Sequence, residues 1–268
     1  MNFLINDFYM IKNSISLYTD VTYTEVGGNA TITGCVGACP AVVRIPSTID
    51  GFTVTAISDL AFYNESITNL TLPNSITNIG ASAFKDNLLA TITLPSSLIT
   101  LQDLSFDTNA LTTLVIPNSV TNIEAHVFRD NSLTSVIIGN SVTSIGNACF
   151  YGNALTTLVI PDSVTNIEGG AFRNNSLTSV IIGNSVTRIG GNAFRDNSIT
   201  TLAIPDSITI VEDYSFQYNS LTSVQFSGDR PALGGSAFAN NSITSVTYIS
   251  GKTGWPGADI EGVTPTAV

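Results

Sequence analysis

Few side chains in this chain could carry out chemistry, and the only histidine limits the choice further. His126 lies in a segment predicted to be a turn, where a histidine usually faces solvent. Because a Ser-His-Asp arrangement needs a histidine as its base, it would have to include this residue. We therefore predict no catalytic triad.

Three glutamates recur at a spacing of 44 residues, at Glu124, Glu168 and Glu212. If the chain winds in coils of 22 residues, these carboxylates lie two coils apart, about 10 Å at ~4.8 Å per coil. That separation is too wide for the carboxylate pair of a retaining glycosidase and marginal for an inverting one. We predict a solubilising column of glutamates, a non-enzymatic protein and no cofactor.

The three cysteines give two separate predictions. Cys35 and Cys39, in the sequence CVGAC, could close a small disulfide loop or remain as two buried thiols. Because no second Cys or His pair accompanies them, a zinc site is not expected, and we predict no metal site. Cys149 occupies a repeat position that is small in other coils, so we expect a buried thiol there.

Phenylalanine recurs every 22 residues without insertion or deletion, which is the strongest signal in the sequence. A fixed period of this length is typical of a solenoid, in which each coil stacks on the next. The series predicts one elongated domain of about nine 22-residue coils. Its members are Phe62, Phe84, Phe106, Phe128, Phe150, Phe172, Phe194, Phe216 and Phe238.

The coil that begins at Phe128 shows how each turn is expected to fold. Val136 and Ile138 are predicted to point inward and to alternate with outward Ile137, which is the period of a β-strand. Gly139 ends that strand, a second short extended segment follows, and one helical turn is expected to close the coil before Phe150. The neighbouring coils carry proline at the position of Gly139, so a proline type and a glycine type of coil alternate with a 44-residue period.

An asparagine lies three residues after eight of the phenylalanines. We predict that these amides form a stacked ladder, which satisfies backbone groups that coiling removes from water. The column comprises Asn87, Asn109, Asn131, Asn153, Asn175, Asn197, Asn219 and Asn241.

The chain divides into four predicted regions. Residues 1–19 form an uncertain N-terminal segment, and residues 20–50 form a cap with a hairpin and the CVGAC loop. Residues 51–249 form the solenoid, and residues 250–268 form a C-terminal cap or tail that ends like a linker. Trp255 in that tail is interpreted as a lid on the last coil, with ligand binding as the alternative.

The repeat L-x-x-L-x-I-P-x-S-V-T-x-I-x-x-x-A-F resembles the BspA-like leucine-rich repeats of bacterial surface proteins. The coil from Leu155 to Phe172 matches it, and about residues 40–250 share it. The chain departs from the family in carrying Asn where members often carry Cys, with a coil one residue shorter. The resemblance implies an α/β leucine-rich repeat fold, a right-handed β-rich solenoid or horseshoe with short helical turns. It also implies an extracellular or cell-surface location, binding of a protein or glycan, and no catalysis.

The composition excludes several partners. Only 11% of residues are charged and the net charge is −11, so nucleic acid and anionic membrane surfaces are not expected to bind. No apolar stretch is long enough for a membrane-spanning helix, and we predict a monomer. Some surface ion pairs are expected, between Arg129, Arg173 or Arg195 and the nearby Asp130 and Asp196.

The outward side of the first strand is the predicted binding surface. Exposed β-branched residues in a row often mark an interaction site, although such residues also simply suit strands. The candidate residues are Thr113, Val115, Ser135, Ile137, Thr157, Val159, Ser179, Ile181, Thr201 and Ala203.

Two alternatives to a recognition module remain open. The solenoid could be a passive stalk or spacer, or a regular threonine column on the second segment could bind ice. That column comprises Thr121, Thr143, Thr165, Thr187 and Thr209, with Asn122, Asn166 and Arg188 interrupting its flatness.

Overall fold

The computed structural model describes residues 19–255, 257 and 259–268. The predicted N-terminal segment 1–19 therefore lies outside the described residues except for Thr19, and so does Pro256 beside Trp255. In chain order the strands are β1 (Val21–Val26), β2 (Asn29–Cys35), β3 (Val42–Arg44), β4 (Thr48–Ile49), β5 (Phe52–Ile57), β6 (Asn69–Thr71), β7 (Asn78–Ile79), β8 (Thr100–Leu101), β9 (Thr113–Val115), β10 (Asn122–Ile123), β11 (Ser135–Ile137), β12 (Ser144–Ile145), β13 (Thr157–Val159), β14 (Asn166–Ile167), β15 (Ser179–Ile181), β16 (Arg188–Ile189), β17 (Thr201–Ile204), β18 (Ile210–Val211), β19 (Ser223–Phe226), β20 (Ala232–Leu233), β21 (Ser245–Tyr248) and β22 (Thr266–Ala267).

Successive coils contribute strands to two parallel ladders, except that residues 91–93 of one coil do not form a first strand. The second-strand ladder is one 12-stranded sheet that runs from the N-terminal hairpin, β1 and β2, through β5 to β20. Its register advances by one coil per strand, with Ser144 beside Asn166. The first-strand ladder follows the same register, with Thr157 beside Ser179. The chain is therefore a β-solenoid with the leucine-rich repeat fold, as the repeat predicts.

The solenoid has about 11 turns, so the prediction of nine coils is too low. The phenylalanine series misses turns at both ends, because those turns do not carry the repeated ring. At the start, β3 already pairs with β6 ahead of the first regular coil. At the end, β22 pairs with β21 and adds a further strand.

The predicted short helical turns are not found, since the described residues contain no helix. Two residues in the left-handed region bracket each phenylalanine, as His126 (φ 60°) and Asp130 (φ 50°) bracket Phe128. A left-handed residue interrupts a right-handed helix, so the turn cannot propagate. The backbone instead pairs with the next coil: the His126 N–H donates to Asn147 O at 2.8 Å.

The phenylalanine spine is buried at every position from Phe62 to Phe238. Neighbouring rings stack in all eight successive pairs, as Phe128 and Phe150 do with centroids 5.5 Å apart and planes 15° from parallel. Burial of each ring contributes about 1.5–3 kcal/mol. The spine thus fixes the spacing of the coils that present the surface strands.

The first-strand ladder shows the two-coil period of the sequence. It is divided into separate sheets, and β9–β11 and β13–β15 each join a proline coil to the glycine coil that follows. At this junction a Cβ atom on Gly139 would lie 2.5 Å from the Pro117 carbonyl oxygen. Glycine is therefore required there by the close approach of the two coils, and duplication of coil pairs has a structural counterpart.

Both ends of the described solenoid are covered by the chain itself. At the N-terminal end, β2 pairs with β5 and buries Ala30 and Ile32 against the first coil. At the C-terminal end, Trp255 is buried, stacks on Tyr248 at 5.1 Å and donates its indole N–H to Gly228 O at 3.2 Å. These contacts are those of a lid, the interpretation favoured by the sequence.

Candidate recognition surface

All ten predicted binding residues lie on the outer side of the first-strand ladder and are exposed. Because successive side chains of a strand point to opposite faces, an inward residue such as Leu158 places Thr157 and Val159 outward. The four large aliphatic residues are about equally exposed. Their exposed fractions are 60% for Val115, 64% for Ile137, 59% for Val159 and 64% for Ile181.

The aliphatic stripe formed by Val115, Ile137, Val159 and Ile181 has defined ends. One coil before it, the equivalent position is Thr93, and beyond Ala203 at the other end the equivalent position is Gln225. Within the stripe, Ser135 lies beside Thr113 and Ile137 beside Val115. The surface is therefore an apolar band with a parallel row of hydroxyls, limited to the middle of the solenoid.

From residue 66 onward the first-strand face carries no charged residue, although the chain has 20 acidic and nine basic side chains. The exception on this ladder is Arg44, which is exposed on β3 at the N-terminal end and pairs with Thr71. The charged residues are on the second-strand and turn sides or at the ends. The segments of this face without Asp, Glu, Lys or Arg are 66–73, 88–95, 110–117, 132–139, 154–161, 176–183, 198–205, 220–227 and 242–249.

The face has a shallow depression at one end of the stripe. Residues 91–93 do not form a strand, and a depression of about 490 Å³ opens there. Its lining includes Ile92, Thr93, Val115 and Ile137. The aliphatic stripe thus continues into a recess that could accept a protruding group of a ligand.

Four of the five hydroxyls of the second-strand threonine column, those of Thr143, Thr165, Thr187 and Thr209, donate to the backbone of the preceding coil. The Thr143 hydroxyl donates to Thr121 O at 3.1 Å, and the Thr165 hydroxyl donates to Thr143 O at 3.2 Å. Beside this column, Arg188 and Ile210 replace the smaller polar residues of earlier coils. The array is regular along the backbone, but its neighbouring positions differ in size and polarity.

The glutamate column is partly ion-paired, which corrects the interpretation that it is only solubilising. Arg188 lies between two of its members, with Nη1 2.8 Å from Glu168 and Nη2 2.7 Å from Glu212. These bonds raise the pKa of Arg188 above its usual value, Glu168 first and Glu212 second. Because all three side chains are about one-third exposed, solvent weakens the attraction. His126 is half-buried in its turn.

A buried carboxylate was missed by the sequence reasoning. Arg129 contacts the expected Asp130 at 3.4 Å, but it also lies 2.9 Å from Asp107, whose side chain is fully buried. Lys85 contacts the same carboxylate from the other side at 2.8 Å. The alternation of Lys85, Asp107 and Arg129 at 22-residue steps was the available signal. The other two arginines both contact Asp196, Arg173 at 3.1 Å and Arg195 at 3.5 Å.

The three cysteines form one disulfide and one buried free thiol. Cys35 and Cys39 are joined in a disulfide in the N-terminal cap, with Cα atoms 5.3 Å apart. Cys149 is a free, buried thiol, and burial raises its pKa well above the usual value. Among the residues that the structure describes, no three His, Cys, Asp or Glu side chains form a group that could hold a metal ion. Nor does that part of the chain include a helix that could cross a membrane.

A comparison with protein families matches the repeats. The model of the BspA type leucine rich repeat region, in 6 copies, matches residues 45–156 and 143–255. The chain belongs to the BspA-type leucine-rich repeat family. The resemblance seen in the sequence is thereby confirmed, and the family model is that of a repeat region that includes every residue of the aliphatic stripe.

Several solved structures are similar to this BspA-type chain. A leucine-rich repeat protein from Bacteroides ovatus is 20% identical, with 92% of this chain and 71% of that chain covered and a TM-score of 0.54. A leucine rich cell surface protein from Faecalibacterium prausnitzii is 22% identical, with 85% and 75% covered and a TM-score of 0.47. The pneumococcal vaccine antigen PcpA is 17% identical, with 85% and 80% covered and a TM-score of 0.41. The first likeness supports the fold. No curated protein sequence matches the chain.

Proposed function

We propose that this protein is a non-enzymatic recognition or adhesion module, which acts as a monomer and binds a protein or glycan through the first-strand face. The observation that carries the proposal is the aliphatic stripe on a long uncharged stretch of the first-strand face, in a chain whose net charge is −11. The centres of protein interfaces are depleted of charge in the same way.

The chemistry of the face fits an uncharged partner. Val115, Ile137, Val159 and Ile181 offer apolar area, and burial of that area would contribute about 25 cal/mol per Å² before the costs of binding. The parallel row from Thr113 to Ser179 offers hydroxyl groups that can donate or accept hydrogen bonds. A stripe of this kind on a soluble surface is typical of an interaction site.

An extracellular or cell-surface location is part of the proposal. The Cys35–Cys39 disulfide supports it, since disulfides form and persist in oxidising compartments. The low content of charged residues and the abundance of Asn, Ser and Thr are compatible with such a location. An intracellular protein would be expected to keep these cysteines reduced.

The test is binding of the purified protein to a panel of purified glycans and surface proteins by biolayer interferometry. The variant Ile137→Lys, Val159→Lys, Ile181→Lys should lose about tenfold or more in affinity for each ligand found, because it places three charges on the apolar stripe. The matched control, Asn122→Lys, Ser144→Lys, Asn166→Lys, adds the same charges to the second-strand side of neighbouring coils.

Equal binding by wild type and both variants would place the site elsewhere. A chain that binds nothing in the panel would favour the passive stalk. Thermal hysteresis that disappears when Thr143 and Thr165 are changed to valine would favour ice binding. Turnover that disappears on changing His126 or the glutamate column would indicate an enzyme.

A further inference from the structure

A second candidate site lies on the second-strand side, away from the aliphatic stripe. A groove of about 530 Å³ opens beside β16, β18 and β20. Its volume is within the range of about 300–1,000 Å³ that is usual for small-molecule sites. Gly191 and Gly234 form part of its floor without side chains, while Ile210, Tyr214 and Leu233 line it with apolar atoms.

The groove forms where the repeat changes its surface residues. Ile210 is 40% exposed, and the residues at the equivalent position in the five preceding coils are all polar. Tyr214 is 41% exposed and is larger than every residue at its own equivalent positions. The polar residues replaced at the first position are Thr100, Asn122, Ser144, Asn166 and Arg188. Coil stacking does not require these two apolar side chains, because the other coils stack without them.

Tyr214 is held in a conformation that a tyrosine rarely adopts. Its φ of 61° is left-handed, which costs about 1–2 kcal/mol for a residue with a Cβ atom. The guanidinium of Arg195 lies 5.8 Å from the centre of the Tyr214 ring and 5.2 Å from that of Tyr218, so it contacts both rings. The left-handed conformation is shared by the equivalent residue of the other coils, such as Leu104 and His126, so what distinguishes this coil is the tyrosine side chain that it presents to the groove.

Two carboxylates at the groove are fixed in place by backbone hydrogen bonds. Glu212 Oε2 accepts from the Gly191 N–H at 2.9 Å, and Asp213 Oδ1 accepts from the Gly235 N–H at 2.6 Å. Glu212 Oε1 also accepts from Nε and Nη2 of Arg188, at 2.8 and 2.7 Å. Because a carboxylate has about four acceptor positions, Glu212 retains about one for a ligand hydroxyl and Asp213 retains more. The Oδ1 of Asn192 accepts from Arg195 Nη1 at 3.2 Å, which leaves its amide N–H groups as donors for a ligand.

We propose that this groove binds one uncharged sugar ring of a glycan, with Tyr214 and Ile210 against its C–H groups and Glu212, Asp213 and Asn192 on its hydroxyls. The combination of apolar walls with oriented acceptors suits a ring whose faces are apolar and whose edge carries hydroxyls. The Asp213 carboxylate disfavours an anionic ligand, whereas the charge of Glu212 is offset by Arg188. This site is independent of the first-strand face and of the function proposed for that face.

Saturation-transfer NMR with methyl glycosides of glucose, galactose, mannose and N-acetylglucosamine tests the proposal on the whole chain. At least one glycoside should bind wild type at millimolar concentration. Tyr214→Gly should weaken that binding by about tenfold or more. Because Tyr214 has a left-handed φ, glycine relieves backbone strain there and the variant is expected to fold.

Tyr218→Gly is the matched control. Tyr218 has a φ of 56°, is 48% exposed and contacts the same Arg195, but it does not line the groove. This variant and the stripe variant Ile137→Lys should both bind the glycoside as wild type does. The proposal is overturned if no glycoside binds, if both tyrosine variants lose binding equally, or if Ile137→Lys alone abolishes it.

Discussion

The side chain of Asn153 donates its amide N–H to the Phe128 carbonyl oxygen of the preceding coil at 3.0 Å. The same amide donates to Phe150 O at 3.2 Å, and its Oδ1 accepts from the Leu133 N–H at 2.9 Å. One side chain therefore satisfies three backbone groups from two coils. The other members of the asparagine column repeat this pattern, except that the Asn131 amide donates to Arg129 O in place of Phe128 O. The ladder is therefore part of the fold and not a ligand site.

Asn153→Asp should lower the free energy of unfolding by about 2 kcal/mol or more. The carboxylate keeps the acceptor for Leu133 but loses both donors, and its charge faces the carbonyl oxygens of Phe128 and Phe150. Urea denaturation provides the measurement.

Asn118→Asp is the control for that change, because its Oδ1 only accepts, from the Asn140 N–H at 2.8 Å. An aspartate already has this role two coils later, where Asp162 accepts from the Asn184 N–H at 2.6 Å. A loss at Asn118 equal to that at Asn153 would contradict the account of the ladder.

Gly190→Ala should destabilise the solenoid by about 1–3 kcal/mol through overpacking. A Cβ atom there would lie 2.7 Å from the carbonyl carbon of Glu168, which is backbone and cannot rotate away. The adjacent change Gly191→Ala should stay within about 0.5 kcal/mol, since its Cβ would be 3.4 Å from Asp213 O. The melting temperatures of the two variants, measured by thermal unfolding, test this difference. Equal melting temperatures would refute the prediction.

Stability should fall at alkaline pH through Cys149. Burial raises the pKa of this thiol above its ordinary value of 9.0, so the folded state keeps it neutral while the unfolded state can ionise. Its contribution is full below pH 9.0 and declines as the pH rises further.

Cys149→Ala removes that contribution and places alanine where Ala171 and Ala193 stand in later coils. The free energy of unfolding should therefore change less between pH 8 and pH 10 in the variant than in wild type. Parallel curves for the two proteins would show that Cys149 does not titrate in this way.

Residues with an unbroken 22-residue period made the fold predictable. The series that includes Phe128 and Phe150 identified the solenoid, and the column that includes Asn153 identified the ladder, because both contacts repeat between every pair of coils. The turn was not predictable: His126 and Asp130 have left-handed φ values without being glycine. Cooperation between neighbouring coils holds them there, and local propensity does not reveal it.

Of the two candidate surfaces, the sequence could identify one and not the other. Outward Val115 to Ile181 follow from strand alternation, so the sequence could identify the stripe. The groove beside Tyr214 could not be identified, because it depends on small residues in two different coils. The buried Asp107 was missed for a related reason, since its partners Lys85 and Arg129 each lie one coil away.

The most direct test of the first-strand face is methyl NMR of the whole protein with a ligand found in the binding panel. The account predicts that addition of the ligand shifts the methyl signals of Val115, Ile137, Val159 and Ile181 and leaves the second-strand signals of Ile123 and Ile167 unchanged. Shifts confined to the second-strand or turn sides, with the stripe unaffected, would contradict it.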